Sequence, residues 1–253
     1  MLQCVTLWIG NRLGPVERAC LRSVLRQGHD LALYCYGEVE GIPAGVEVRD
    51  AGEVLPESAV FRHRSGSYAF FADWFRYELL SRSMGTWIDT DVYLLASLDS
   101  RRAYLFGEQA PGVLNNAVLR LPSTSPMLAD LLTPFKGKTP GWLRWRDYLV
   151  ARARQLVWGT ADPRKMPWGT TGPHALTALA KAHGLLGEAL PPKVLYPAPW
   201  QKADWISNPE LSIEDFIADE TLAVHLWNEC IKDFKNAPAP QGSFLKRLQD
   251  EGA

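Results

Sequence analysis

Asp89-Thr90-Asp91, set between Trp87-Ile88 and the apolar run 92–98, is the sharpest chemical feature of the chain. On an extended backbone, residues i and i+2 point to the same side, so these two carboxylates converge while Thr90 points away. Converging carboxylates repel unless a cation sits between them. Hard divalent cations take oxygen ligands and often share one or two carboxylates with substrate phosphates. A strand that runs into such a pair at its C-terminal end is where open α/β sheets bind ligands. An isolated D-x-D is also explained by a solvated strand end or turn, so the context decides.

That context is the preceding helix. Asp73, Arg76, Tyr77 and Leu80 stand at i, i+3, i+4 and i+7, which puts the acid and the base on one face. As a surface ion pair they would be worth well under about 1 kcal/mol. Phe70, Phe71, Trp74, Phe75 and Tyr77 leave little of this helix polar. A paired charge on a mostly apolar helix points to a site.

The elements that must position these groups follow from periodicity and punctuation. Residues 4–9 read as a first buried strand ended by Gly10-Asn11. A helical stripe over 15–27 follows, with Pro15 suited to its first turn and Gly28 to its cap. Strands are expected at 31–36 and 46–49, a helix over 68–84, and a strand at Trp87-Ile88. Further strands are expected at 103–107, 115–121 and 222–227, and helices near 126–133, 145–157 and 172–183. Strand, helix, strand in the first segment predicts an α/β fold.

Composition bounds the function. The chain has 253 residues, 47% hydrophobic and 22% charged, which suits one large globular domain. A net charge of -1 argues against wrapping nucleic acid. No run of 18 apolar residues occurs, which excludes an ordinary transmembrane helix. The first ten residues lack a basic region and cleavage site, so they read as a strand and not as a signal peptide. Cys4, Cys20, Cys35 and Cys230 are scattered, which favours free thiols and a reducing, cytoplasmic compartment. Gly137-Lys138-Thr139 ends like a phosphate-binding loop, but Leu132 stands where that loop needs glycine. No G-x-S-x-G, H-E-x-x-H or G-x-G-x-x-G is present.

Residues 132–168 break the pattern. They hold eight basic residues against Asp147 and Asp162, a local charge of +6, together with Trp142, Trp145, Trp158 and Trp168. One expectation is a cleft whose tryptophans stack on sugar rings while the cations face an anionic headgroup or the inner membrane face. The plainer expectation is an amphipathic helix, with Leu149, Val150, Leu156 and Val157 as its apolar positions and its arginines solvated. The expected organisation is one domain over 1–236, with 132–168 as an insert on the acceptor side. Residues 237–253 are expected to be a linker and a short helix.

The segment FADWFRYELLSRSMGTWIDTDVYLL (71–95) resembles the DXD-type glycosyltransferases, which run S-D-x-x-R-y-x-x-L and then G-G-x-Y-x-D-x-D. That group includes family 32, the α-1,4-galactosyltransferase-like enzymes and the glucosylating bacterial toxins. Thr86 follows the glycine Gly85, and the usual tyrosine is Trp87. VTLWIG resembles the first strand of the family, where a tryptophan lies along the base; Leu7, Trp8 and Ile9 would take that place. NNAVLRLPSTSP resembles the segment in which Asn115 or Asn116 faces the sugar, and WGTTGPHALT resembles a helix-opening T-G-P element. AVHLWNE resembles a late segment in which a histidine or acid approaches the metal. His225 would be a core histidine on its own merits and becomes a third ligand or diphosphate contact through the resemblance. His29, His63, His174 and His183 read as structural or solvated.

The resemblance implies a single GT-A-like domain with a mixed, mostly parallel sheet and an added helical acceptor region. It implies a hexosyltransferase that moves sugar from a nucleotide sugar, most often UDP-linked, with retention, and with Mn²⁺ or Mg²⁺ at Asp89, Asp91 and His225. Asp73, Arg76, Trp87 and Asp89 would position sugar, ribose or phosphate. The acceptor would be a glycan, glycolipid or protein, with bacterial surface or lipid-linked oligosaccharide the commonest role. Two other readings compete: an inert relative that binds carbohydrate or a partner, and a metal-dependent nucleotidyltransferase.

Overall fold

The computed structural model describes residues 1–253. In chain order its elements are β1 (Gln3–Trp8), α1 (Pro15–Arg26), β2 (Asp30–Cys35), β3 (Glu47–Asp50), α2 (Ala69–Ser81) and β4 (Thr86–Ile88). Then come β5 (Val92–Leu94), β6 (Leu105–Ala110), β7 (Val113–Arg120), α3 (Pro126–Leu131), α4 (Trp145–Trp158) and α5 (Pro173–Ala182). The chain closes with α6 (Pro192–Leu195), β8 (Ala223–His225), α7 (Asn228–Ile231) and α8 (Phe244–Glu251), with short 3₁₀ turns between.

The six-stranded sheet has the order β3-β2-β1-β4-β7-β6. The first four strands are parallel, and β7 runs antiparallel to both β4 and β6. The expected mixed, mostly parallel sheet is therefore present. Its central strand β1 is apolar on both faces, as a strand covered by helices on each side must be. Val5, Leu7 and Trp87 face the Phe71, Phe75 and Leu79 stripe of α2, with α3 and α5 beside it. Cys4, Leu33 and Ile88 face Leu21 and Val24 of α1. The first βα unit ends as its sequence requires: Gly28 adopts φ +75° after α1, a left-handed cap open to glycine at no steric cost.

Chain order reverses between β1 and β4, and this places the polar residues that follow β4 at the C-terminal edge of the parallel strands. Gly85 makes the approach to β4 feasible. It holds φ +149°, and a Cβ there would lie 2.7 Å from the Gln3 carbonyl oxygen and from Val5 Cγ1. Thr86, by contrast, is buried and in register with Cys4, so the strand accepts a side chain at that position.

A second, two-stranded sheet pairs β5 with β8, antiparallel, with Val92 opposite His225. This register carries a residue from the far end of the chain beside Asp91.

Two helices differ from their sequence reading. The tail helix α8 forms, but it is no appendage: Phe244, Leu245 and Leu248 are buried with Val16, Ala19 and Cys20 of α1 and with Trp205. Helix α4 also forms, but none of its residues is buried. The four apolar positions expected to give it a packed face all lie exposed. The four cysteines are free, with Cys230 exposed and the other three buried.

The α8 packing is tied by charge. Glu251 accepts from Arg247 Nε at 2.9 Å, from the Tyr93 hydroxyl at 2.8 Å and from Arg26 at 3.1 Å. Burial would raise its pKa, but these three donors outweigh burial and hold it below the usual range. A folded-state pKa below the unfolded one gives stability that is present above the unfolded value and lost as pH falls. The melting temperature of Glu251→Gln protein is therefore expected to lie below wild type at neutral pH and to converge on it in acid. Parallel melting curves across pH would sink this account if the gap stayed constant.

Candidate active site

β4 ends at Ile88, so Asp89-Thr90-Asp91 is not a strand end. It forms a tight turn closed by the Val92 amide on the Asp89 carbonyl at 3.1 Å, because the chain must leave the main sheet for β5. The extended-strand argument for convergence is thereby corrected, while the convergence itself stands. Donor atoms of Asp89, Asp91 and His225 all lie within 4.8 Å of one another.

Each carboxylate has its own supports. Asp89 Oδ1 accepts from the Trp87 indole at 2.6 Å and pairs with Arg76 Nη2 at 3.0 Å. Asp91 Oδ2 accepts from the Asn228 amide at 2.7 Å and lies 3.1 Å from His225 Nε2. Burial pushes the Asp89 carboxyl up to about 6, with Arg76 opposing and Asp91 adding to the rise. Burial would also raise Asp91, but the adjacent His225 and the Asn228 amide outweigh it and hold Asp91 down at about 2. His225 is in turn raised: burial disfavours its charge, and Asp91 overrides that. The two carboxylates are thus driven in opposite directions by their surroundings.

Two carboxylates and an imidazole are compatible with a divalent cation that accepts oxygen and nitrogen ligands. His225 Nδ1 is buried with no hydrogen-bond partner, a further sign of an unfilled polar demand at this point.

Arg76 is the hub behind the turn. Besides Asp89 it lies 3.6 Å from Asp73, donates to the Asn116 carbonyl, and sits 4.8 Å from the centre of the Trp87 ring. Asp73 accepts from Asn116 Nδ2 at 2.8 Å and from the Thr171 hydroxyl at 2.7 Å. Tyr77 donates to the Thr171 carbonyl at 2.7 Å and accepts from Asn116. Asp73 and Trp87, read from the sequence as sugar contacts, line the cleft over this network and also hold Arg76 and Asp89 in place.

A cleft of about 980 Å³ opens over this network. Leu7, Trp8 and Ile9 of the β1 end line it, as do Asn115 and Asn116 of β7. The Trp8 indole N–H and the Thr6 hydroxyl are buried there without partners. Asn115 is held by Gln109 and by the Ala117 amide, each at 2.7 Å. The structure thus gathers every sequence-predicted site residue around one cleft or directly beneath it.

The four insert tryptophans do not share that cleft. Trp168 lines it, Trp158 lines a separate cavity, Trp145 is exposed, and Trp142 donates to the Thr170 carbonyl at 2.8 Å. His63 stacks on Phe70, and His29 is hydrogen-bonded in the interior, both as structural histidines do. His174 lines the cleft rim.

Several functional residues escaped the sequence reading. Thr171 and Gly172 read from the sequence as a helix opener alone. Gly172 is needed for proximity, since a Cβ there would lie 3.0 Å from Asp73 Oδ2. Trp227, at φ +58°, packs 4.2 Å from the His225 ring and turns the chain so that the Asn228 amide meets Asp91. A non-glycine residue in the left-handed region beside a site is the signal of stored strain, but it is invisible in sequence.

The chain is similar to three mammalian proteins named lactosylceramide 4-alpha-galactosyltransferase. It is 31% identical to the Mus musculus protein over 177 residues, which is 66% of this chain and 44% of the relative. It is 29% identical to the Gorilla gorilla gorilla protein over 208 residues, covering 78% and 57%. It is 28% identical to the Homo sapiens protein over 210 residues, covering 78% and 53%. The chain thus spans about half the length of these curated relatives. Among solved structures it is similar to PaToxG Glycosyltransferase, with a TM-score of 0.47, 14% identity, and 74% and 71% of the two chains covered. No family model matches the chain. The glycosyltransferase resemblance read from the D-x-x-R helix and the D-x-D turn is borne out by these relatives.

Proposed function

We propose that this chain is a GT-A-like, metal-dependent glycosyltransferase that takes a hexose from a UDP-sugar and delivers it to a glycan or glycolipid hydroxyl with retention. The observation that carries this reading is the Asp89–Asp91–His225 cluster beneath a tryptophan-edged cleft.

A nucleotide sugar reacts by breaking the anomeric C–O bond. Negative charge gathers on the departing diphosphate while the sugar becomes oxocarbenium-like. A divalent cation held by Asp89, Asp91 and His225 would supply the countercharge for that diphosphate. Trp8 offers a ring to the base and a free indole donor. Arg76 fixes the Asp89 carboxylate through a planar fork, so little reorganisation is left for the reacting state. Asn115, locked by two hydrogen bonds, presents a fixed polar group to the sugar.

Retention is supported by the resemblance of residues 71–95 to the α-1,4-galactosyltransferase-like group. The buried carboxylates of the cleft are all committed to partners, and Glu229 at its rim is bridged to Ser67 at 3.0 Å and to Lys232 at 2.9 Å. The relatives' name speaks of a glycolipid acceptor, which supports a lipid-linked sugar here as well.

The test is thermal stability with UDP, GDP and a panel of their sugars, with and without Mn²⁺, followed by UDP release from the donor that binds. A ligand at about 100 times its dissociation constant adds about 2.7 kcal/mol, a shift of roughly 5–10 °C for a chain this size. A metal-dependent shift for one UDP-sugar, with slow UDP release, is the expected result. Sugar binding without turnover would replace the reading by that of a carbohydrate-binding relative.

A further inference from the structure

Helix α4 has apolar side chains and nothing to pack them on. Its Asp147, Val150, Ala151, Arg154 and Trp158 line a cavity of about 540 Å³ between the helix and the body of the protein. Those positions define the inward side. At 100° per residue, the opposite side is Trp145, Leu149, Arg152 and Leu156. Trp145 is 67% exposed, Leu149 57% and Leu156 75%, and Val157 beside them is 72% exposed. An outward stripe of this kind has no partner within the chain.

Charge sets what the partner is. Residues 132–168 carry a net +6, while the chain as a whole carries -1, so the remainder carries -7. Positive charge is concentrated around the one helix whose apolar groups face outward. Arg146 and Arg152 lie on or beside the stripe, and Arg64, Arg164 and Lys165 line the cavity behind it. A second copy of this chain would bring a second +6 face onto the first and be repelled. At 14 residues α4 is about 21 Å long, too short to cross a bilayer. No helix of this structure is long and apolar enough to do so. Exposed tryptophan and leucine with interleaved arginine is the make-up of a helix that lies in the plane of a membrane interface.

We propose that α4 docks this chain on an anionic lipid surface, with Trp145, Leu149 and Leu156 in the headgroup–acyl boundary and Arg146 and Arg152 on lipid phosphates. Trp142, bonded to the Thr170 carbonyl next to Thr171, links the docked insert to the wall of the cleft. The proposal rests on exposure and charge and stands apart from the transfer reaction.

Vesicle flotation tests it with the full chain, using phosphatidylcholine vesicles with and without phosphatidylglycerol. Wild type is expected to float with the anionic vesicles at low salt and to be released by high salt. Arg146→Glu/Arg152→Glu replaces two cations near the surface by two anions and is expected to lower the partition at least about tenfold. Leu149→Glu/Leu156→Glu should do the same, with melting temperature unchanged because these side chains are exposed. Arg101→Glu, exposed elsewhere, should float like wild type. Wild type that ignores anionic vesicles, or double variants that float as well as wild type, would overturn the proposal. So would sedimentation of a dimer that Leu149→Glu/Leu156→Glu abolishes, with no vesicle binding by either protein.

Discussion

Asp91→Asn protein is expected to release UDP from its donor about a thousandfold more slowly than wild type, and to lose any Mn²⁺-dependent thermal shift. Asp91 is the carboxylate whose charge the fold guarantees. His225 at 3.1 Å and the Asn228 amide at 2.7 Å keep its pKa low despite burial. Asparagine keeps the shape and loses the charge, so the turn persists while the cation site loses its firmest ligand. Removing one preorganised electrostatic group from a reacting site typically costs about 10²–10³ in rate, and loss of a cation held there would add to this. Asp89→Asn should be milder at low pH, because burial already pushes the Asp89 carboxyl up to about 6. A turnover rate within tenfold of wild type in Asp91→Asn would exclude the cluster as the catalytic centre.

Arg76→Met is expected to be the most destabilising single change in the site. It strands the buried Asp73 carboxylate and the partly buried Asp89 carboxylate, and leaves the Asn116 carbonyl without its donor. Removing one partner of a buried pair costs about 3–5 kcal/mol, which for this chain length lowers the melting temperature by roughly 10 °C. Arg76→Lys should rescue little, since a single ammonium cannot meet Asp89, the Asn116 carbonyl and the Trp87 ring face together. The sign of the pH dependence also follows. Without Arg76 the two carboxyls have folded-state pKa values above their unfolded ones, so the penalty is largest at high pH and shrinks as acid protonates them. Melting curves at pH 5 and pH 8 check this, and equal losses at both would mean that packing, not charge, is what Arg76 supplies.

Much of this site is legible in the residues. Asp73 and Arg76 share a face because i and i+3 must do so on any helix, and Asp89 and Asp91 stay close because one residue separates them. β1, α1 and β2 follow from local periodicity with Pro15 and Gly28 as punctuation, and the structure moves their boundaries by only a residue. Local rules reach no further than the length of an element. They gave the D-x-D segment an extended backbone, where the chain instead turns to change sheets. They also gave α4 a buried face, because periodicity records which residues are apolar and not whether anything lies opposite them.

Residue types and spacing alone fix the chemistry available: two acids one residue apart, an acid–arginine helix before them, a tryptophan at the first strand's end and a late histidine. Tertiary structure alone decided how these meet. His225 reaches Asp91 because β8 pairs with β5 in one register, and a shift by one residue would turn the imidazole to the other side. Asp73 became a support when Thr171 and Asn116, 98 and 43 residues away, closed on its two oxygens. Hydrogen-bond partners so distant in sequence are chosen by packing, whose energy is summed over the whole core and is written in no single stretch of chain.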